Sequence, residues 1–147
     1  MGKYFTRSIR SLPAVFNYLD AFLKKYEIDE DVSFAMRLAV EEIFTNLVKY
    51  HKDNPHRIRV ALSQAPGTLI VRIYDFDVAS FDITQKQTER HTLPLKKRQP
   101  GGLGLHLVKK ITDDIQYKYD AQKRQCEITL IKYWGKTNVQ HRHRQQR

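Results

Sequence analysis

Apolar positions keep a helical spacing in some stretches of the chain and a strand spacing in others. Leu12, Val15, Phe16, Leu19, Phe22 and Leu23 recur every third or fourth position, which predicts an amphipathic helix with Ser11 as its N-cap and Pro13 in its first turn. Before it, Lys3 to Ile9 alternates with Phe5 and Ile9 on one side, predicting a short first strand. After the polar connection Glu27 to Asp31, a longer helix is expected from a cap at Asp31 or Ser33 to about His51, where HKDNPH supplies Asp53, Asn54 and Pro55 as breakers. Ile58, Val60 and Leu62 then alternate with polar or small residues, Ala65-Pro66-Gly67 makes a turn, and Leu69, Val71 and Ile73 resume the alternation, so these runs predict a hairpin. From Ile83 to Pro100 periodicity is lost. Gly101, Gly102 and Gly104 follow at once, before Leu105, Val108 and Ile111, so a glycine-rich turn opens another helix. Gln116 to Asp120 and Cys126 to Trp134 read as closing strands. The element order predicts an α+β two-layer sandwich with helices on one face of a mostly antiparallel sheet.

Composition narrows the picture. A chain of 147 residues suits one domain with a real core, here residues 1–135, followed by a basic tail, residues 136–147 (KTNVQHRHRQQR), whose polar composition predicts disorder. No apolar run is long enough for a membrane helix, and the single Cys126, in an apolar strand context, fits a buried thiol in a reduced, cytoplasmic protein. The formal charge of +10 raises nucleic acid, an anionic nucleotide or an acidic protein as partners. Nucleic acid is disfavoured, because the aromatic residues fall at core spacing and do not interleave with a basic stripe. His141 and His143 alternate with arginines in the tail and lack the acidic or Cys neighbours of a metal site.

The chemistry concentrates at particular positions. On the helix centred on RLAVEEIFTNLVKYH, the residues Ala35, Leu38, Ala39, Glu42 and Asn46 share one stripe, so helical periodicity carries a carboxylate and an amide to the same side. Asn46 could ligate a hard cation such as Mg2+, and Glu42, one turn earlier, could orient or deprotonate a hydroxyl beside it; the plainer alternative is a solvated helix face. Asp75 lies in phase with Leu69, Val71 and Ile73 and should point toward the buried face, where a carboxylate needs a donor or caps the turn in YDFDVASFD. The glycines before Leu105 leave backbone N–H groups free at a helix N-terminus, an arrangement that favours phosphate, although a hinge would use the same residues. A loop as long as Ile83 to Pro100 is uncommon in a small domain unless it is a lid or disordered.

Taken in order, the helix with Glu42 and Asn46, the strand ending at Asp75, the long loop and Gly102-Leu103-Gly104-Leu105 resemble the GHKL ATPase superfamily over roughly residues 4 to 134. The compact size is similar to its bacterial anti-sigma-factor serine/threonine kinase branch. The resemblance implies that Asn46 ligates a Mg2+ bridging the phosphates of ATP and that Glu42 is the catalytic base. It implies that Asp75 accepts the adenine amino hydrogen, that Gly102, Gly104 and Leu105 lie beneath the phosphates, and that Ile83 to Pro100 is the ATP lid; apart from the resemblance, the charge of Lys96 to Arg98 could help neutralise phosphate there. Its partners would be a STAS-type antagonist, phosphorylated on serine or threonine, and a sigma factor; dimerisation is common in this branch. Asp77 stands where the family's Asp-x-Gly has glycine, and Phe81-Asp82 lies one residue further from Asp75 than the family spacing, which leaves Asp77 open as the equivalent of the family aspartate, although strand phase favours Asp75. Tyr50 stands where the family often has histidine, with His51 next to it. The alternative reading is a non-catalytic GHKL-like module that acts by binding a protein.

Overall fold

A computed structural model describes residues 2–79 and 102–135. Strands β1 (Gly2–Phe5), β2 (Ile58–Ala65), β3 (Thr68–Phe76), β4 (Asp114–Asp120) and β5 (Gln125–Tyr133) form a five-stranded sheet in the order β1-β2-β3-β5-β4. Every pairing is antiparallel. Helices α1 (Leu12–Lys25), α2 (Glu30–Tyr50) and α3 (Gly102–Ile111) pack on one face of it, as the α+β expectation requires.

The helix stripes and the inward side chains of the strands meet in one core. Val15, Leu19 and Leu23 of α1 and Val32, Met36, Ala39, Val40, Ile43, Phe44 and Leu47 of α2 are buried against Ile58, Val60, Leu62, Leu69, Val71, Ile73, Ile128 and Leu130. Burying each such Leu, Ile or Phe contributes about 1.5–3 kcal/mol relative to leaving it in water. α2 lies over β3 and β5, and α3 packs beside α2, adding Val108 to the core. Cys126, the chain's single cysteine, is buried on β5. The opposite face of the sheet carries no helix among the described residues. On it the Arg59 guanidinium lies 4.9 Å from the Tyr74 ring, and the Tyr74 hydroxyl donates to Glu127 at 3.2 Å. Burial, and after it the Glu127 charge, pushes the Tyr74 phenol above its ordinary value. At the sheet's edges, β1 is only four residues long, and Gln116, Lys118 and Asp120 of β4 are exposed.

Several boundaries differ from the sequence expectation for local reasons. The first strand stops at Phe5 instead of running to Ile9, because Ser8 caps a short 3-10 turn, Ile9–Ser11, by accepting from the Arg10 N–H at 3.1 Å. Ser11 precedes α1 but does not cap it through its hydroxyl, which donates to the Thr6 carbonyl at 2.7 Å. α2 begins earlier than expected, at Glu30, since Asp29 is the residue whose carboxylate takes the Asp31 N–H, at 2.9 Å. In the hairpin Ala65 pairs with Thr68, so Pro66 and Gly67 alone form its loop, and Gly67 supplies the positive φ of 70° that the loop needs. The expected lid from Ile83 to Pro100, with Lys96 to Arg98, and the tail 136–147 lie outside the described residues.

Candidate functional site

α2 brings the amide and the carboxylate to one flank. Its core stripe is filled by Met36, Val40, Ile43 and Leu47, which turns Ala35, Leu38 and Glu42 to the half-buried side and Asn46 to the margin of the core. Asn46 is only 1 % exposed. Its Nδ2 donates to the Glu42 carbonyl one turn back, at 2.6 Å, but its Oδ1 is buried and finds no hydrogen-bond partner among the described residues. Leaving such an acceptor unmade costs about 1–3 kcal/mol, so this atom asks for a ligand. An amide oxygen suits a hydrogen-bond donor or a hard cation.

α3 packs along α2 and begins at Gly102, so the backbone of Gly102, Gly104 and Leu105 forms its first turn rather than a loop preceding it. The expected glycine turn is thereby part of the helix. The first N–H groups of a helix lack intrahelical acceptors, an arrangement that suits an anion. The Leu105 side chain lies outside the described part.

Asp75 sits at the end of β3 and points inward, as its phase with Val71 and Ile73 predicts, and it is fully buried. Both of its oxygens are engaged. Oδ1 accepts from the Arg7 guanidinium, and Oδ2 is 2.8 Å from His51 Nδ1 at the C-cap of α2. Arg7 also donates through Nε to the His56 carbonyl at 3.2 Å and through Nη1 to the Leu47 carbonyl at 3.4 Å. Asn54 completes the junction: its Nδ2 donates to the Phe76 carbonyl at 2.7 Å, and its Oδ1 accepts from the His56 N–H at 2.8 Å. The need of a buried aspartate for a donor was visible in the sequence; Arg7 and Asn54 as members of this junction were not. Arg7 shares the phase of Phe5 and Ile9 in the expected first strand, but that period does not point to Asp75, 68 positions away in sequence.

Asp77 is different from Asp75. Its φ is 55°, in the left-handed region, and its exposed carboxylate meets Arg124 Nε at 3.1 Å and His56 Nε2 at 3.7 Å. The backbone there takes the conformation that glycine adopts without penalty and that aspartate tolerates better than most residues. Asp77→Gly is therefore expected to raise stability by about 0.5–1 kcal/mol, since exposed ion pairs contribute little and relief of the left-handed steric cost outweighs glycine's greater freedom in the unfolded chain. Thermal denaturation checks it, and a loss of stability would show that the Arg124 contact outweighs the backbone.

The histidine kinase-like ATPase domain model matches residues 5–132, so the chain belongs to that family. Such a domain implies a site for ATP. Among curated proteins, the sensor histidine kinase YxdK of Bacillus subtilis (strain 168) is 28% identical over 102 residues, covering 67% of this chain and 31% of the relative. The chain thus spans about a third of that relative's length. Among solved structures, one chain of the SiaB–SiaC complex from Pseudomonas aeruginosa superposes with a TM-score of 0.62 over 89% of this chain and 88% of its own, at 15% identity, which is a likeness of fold. No helix among the described residues is long and apolar enough to cross a membrane.

Proposed function

We propose that the chain is a Mg-ATP-dependent protein serine/threonine kinase of the partner-switching kind, which phosphorylates a STAS-type antagonist and alternatively holds a sigma factor. The observation that carries this reading is the buried Oδ1 of Asn46, unpartnered among the described residues, one helical turn from Glu42 on the helix against which α3 packs. In this reading Asn46 Oδ1 holds Mg2+ and the N–H groups at Gly102, Gly104 and Leu105 receive the phosphates. Glu42 takes the proton of the accepting hydroxyl as it attacks. The metal, when bound, neutralises charge on the phosphates, which is most of what phosphoryl transfer asks of a protein. Asp75 marks the base end of the same site. The family membership supports an ATP site, and the fold likeness to a chain crystallised in a two-protein complex is in keeping with work on a protein partner.

Calorimetric titration with ATP and ADP, with and without Mg2+, tests the pocket. Binding that requires Mg2+ is the expected result. No heat at millimolar nucleotide would remove the kinase and leave a fold that acts by protein contact alone. That second reading, a non-catalytic module, is favoured by one observation, the complete pairing of Asp75 within the chain. Transfer of label from γ-labelled ATP to a STAS domain then separates a kinase from a protein that merely binds nucleotide.

A further inference from the structure

Arg7 determines how the base end of the site is used. A carboxylate that selects adenine needs a lone pair directed at the exocyclic amino group, which donates, whereas guanine presents a carbonyl oxygen at the same place and is repelled. In this protein Asp75 has no exposed surface, and its two oxygens face Arg7 and His51. The Arg7 side chain is 3% exposed and is not a surface arginine that happens to reach inward. Its three nitrogens are each committed to an acceptor of the chain: Nη2 to Asp75, Nε to the His56 carbonyl and Nη1 to the Leu47 carbonyl. These acceptors come from β3, from the segment after α2 and from the last turns of α2. A guanidinium fixed from so many sides does not swing away at low cost. Removing one partner of a buried ion pair leaves an uncompensated charge, and that is the expensive way to open it.

We infer that Arg7 is a specificity-determining residue: it withdraws the Asp75 carboxylate from the base pocket, so a nucleotide bound here is held through its phosphates and is not selected by its purine. The inference rests on the nucleotide site proposed above and concerns only its base end. With the carboxylate withdrawn, the discrimination that a hydrogen bond to a charged acceptor provides, about tenfold or more, is absent. Arg7→Ala returns that carboxylate to the pocket, with His51 as its remaining partner.

The test is calorimetric titration of Mg-ATP and Mg-GTP into the wild-type chain, Arg7→Ala and Arg7→Gln, with circular dichroism as a check on folding. The wild type is expected to bind the two nucleotides within about threefold of each other, and the Arg7 variants to prefer ATP by about tenfold or more. A wild type that fails to bind while an Arg7 variant binds ATP overturns the inference, because no nucleotide is then held through its phosphates alone in the wild type. A wild type that already prefers ATP tenfold overturns the inference and leaves the nucleotide reading standing, as does equal binding of ATP and GTP by a folded Arg7 variant. Failure of every form to bind either nucleotide overturns the nucleotide reading itself, and this inference with it. Should both variants fail to fold, the wild-type ratio decides alone.

Discussion

Asn46→Leu is expected to give a protein that is more stable than the wild type and has lost Mg-dependent nucleotide binding. The side chains are close in size. Leucine removes the buried Oδ1 that has no partner among the described residues, which otherwise costs about 1–3 kcal/mol, and it is the better helix former by a few tenths of a kcal/mol. Against this stands the loss of the Nδ2 bond to the Glu42 carbonyl, at 2.6 Å, a contribution of about 0.5–1.5 kcal/mol. The balance is a gain of about 1 kcal/mol, or roughly 2–4 °C in Tm for a domain of this size. Affinity for Mg-ATP should fall by about a hundredfold or more, since the metal's protein ligand is gone. Stability and binding moving in opposite directions is the signature of a residue kept for its ligand. If melting temperature and affinity fell together, Asn46 would be a structural residue and the metal assignment would be wrong.

Glu42→Gln is the second large effect, and it should separate binding from turnover. Glu42 is half-buried on the same flank of α2, and glutamine keeps its size and its capacity to hydrogen-bond while being unable to take a proton. Loss of a general base lowers the rate of the chemical step by about 10²–10⁴-fold. Mg-ATP affinity should change by less than about threefold, because the helix and Asn46 are untouched. Single-turnover transfer of labelled phosphate, compared with equilibrium titration of the same variant, measures the two quantities apart. A variant that transfers phosphate at the wild-type rate would falsify the assignment of Glu42 as base.

These predictions rest on features of unequal visibility in the sequence. The helical period of α2 and the two-residue period of β3 carried Asn46 and Asp75 to the buried side without help from the structure, because burial is what those periods encode. Element ends were less visible. Asp29 competes with Asp31 and Ser33 as a cap, and only the bond to the Asp31 N–H decides between them. A strand through Ile9 fitted the alternation equally well until Ser8 was seen to fold the backbone into a 3-10 turn. The start of α3 at Gly102 could not be anticipated, since glycine's low helix propensity argues for a loop and the packing of α3 along α2 overrides it. Least visible was the junction around Asp75. Its members come from the segment after β1, the end of α2, the segment after it and β3, and the reach of a side chain such as Arg7, whose bonds span 40 to 68 positions, leaves no periodic trace. The family resemblance did mark Asp77 as a place for glycine, and the φ of 55° there gives the reason in backbone terms.

The edges of the sheet bear on how the domain behaves when concentrated. A strand at an edge offers unpaired N–H and C=O groups to any passing chain, and long apolar edges are where folded proteins begin to aggregate. In this protein one edge, β1, offers only four residues, and the other, β4, sets Gln116, Lys118 and Asp120 toward solvent, so that an added strand would have to desolvate charge. Growth by β-augmentation is discouraged on both sides. The colloidal stability of the domain is thus built into its outermost strands, and crystallisation or labelling work that shortens β1 or neutralises the charges of β4 should leave at least one of these guards in place.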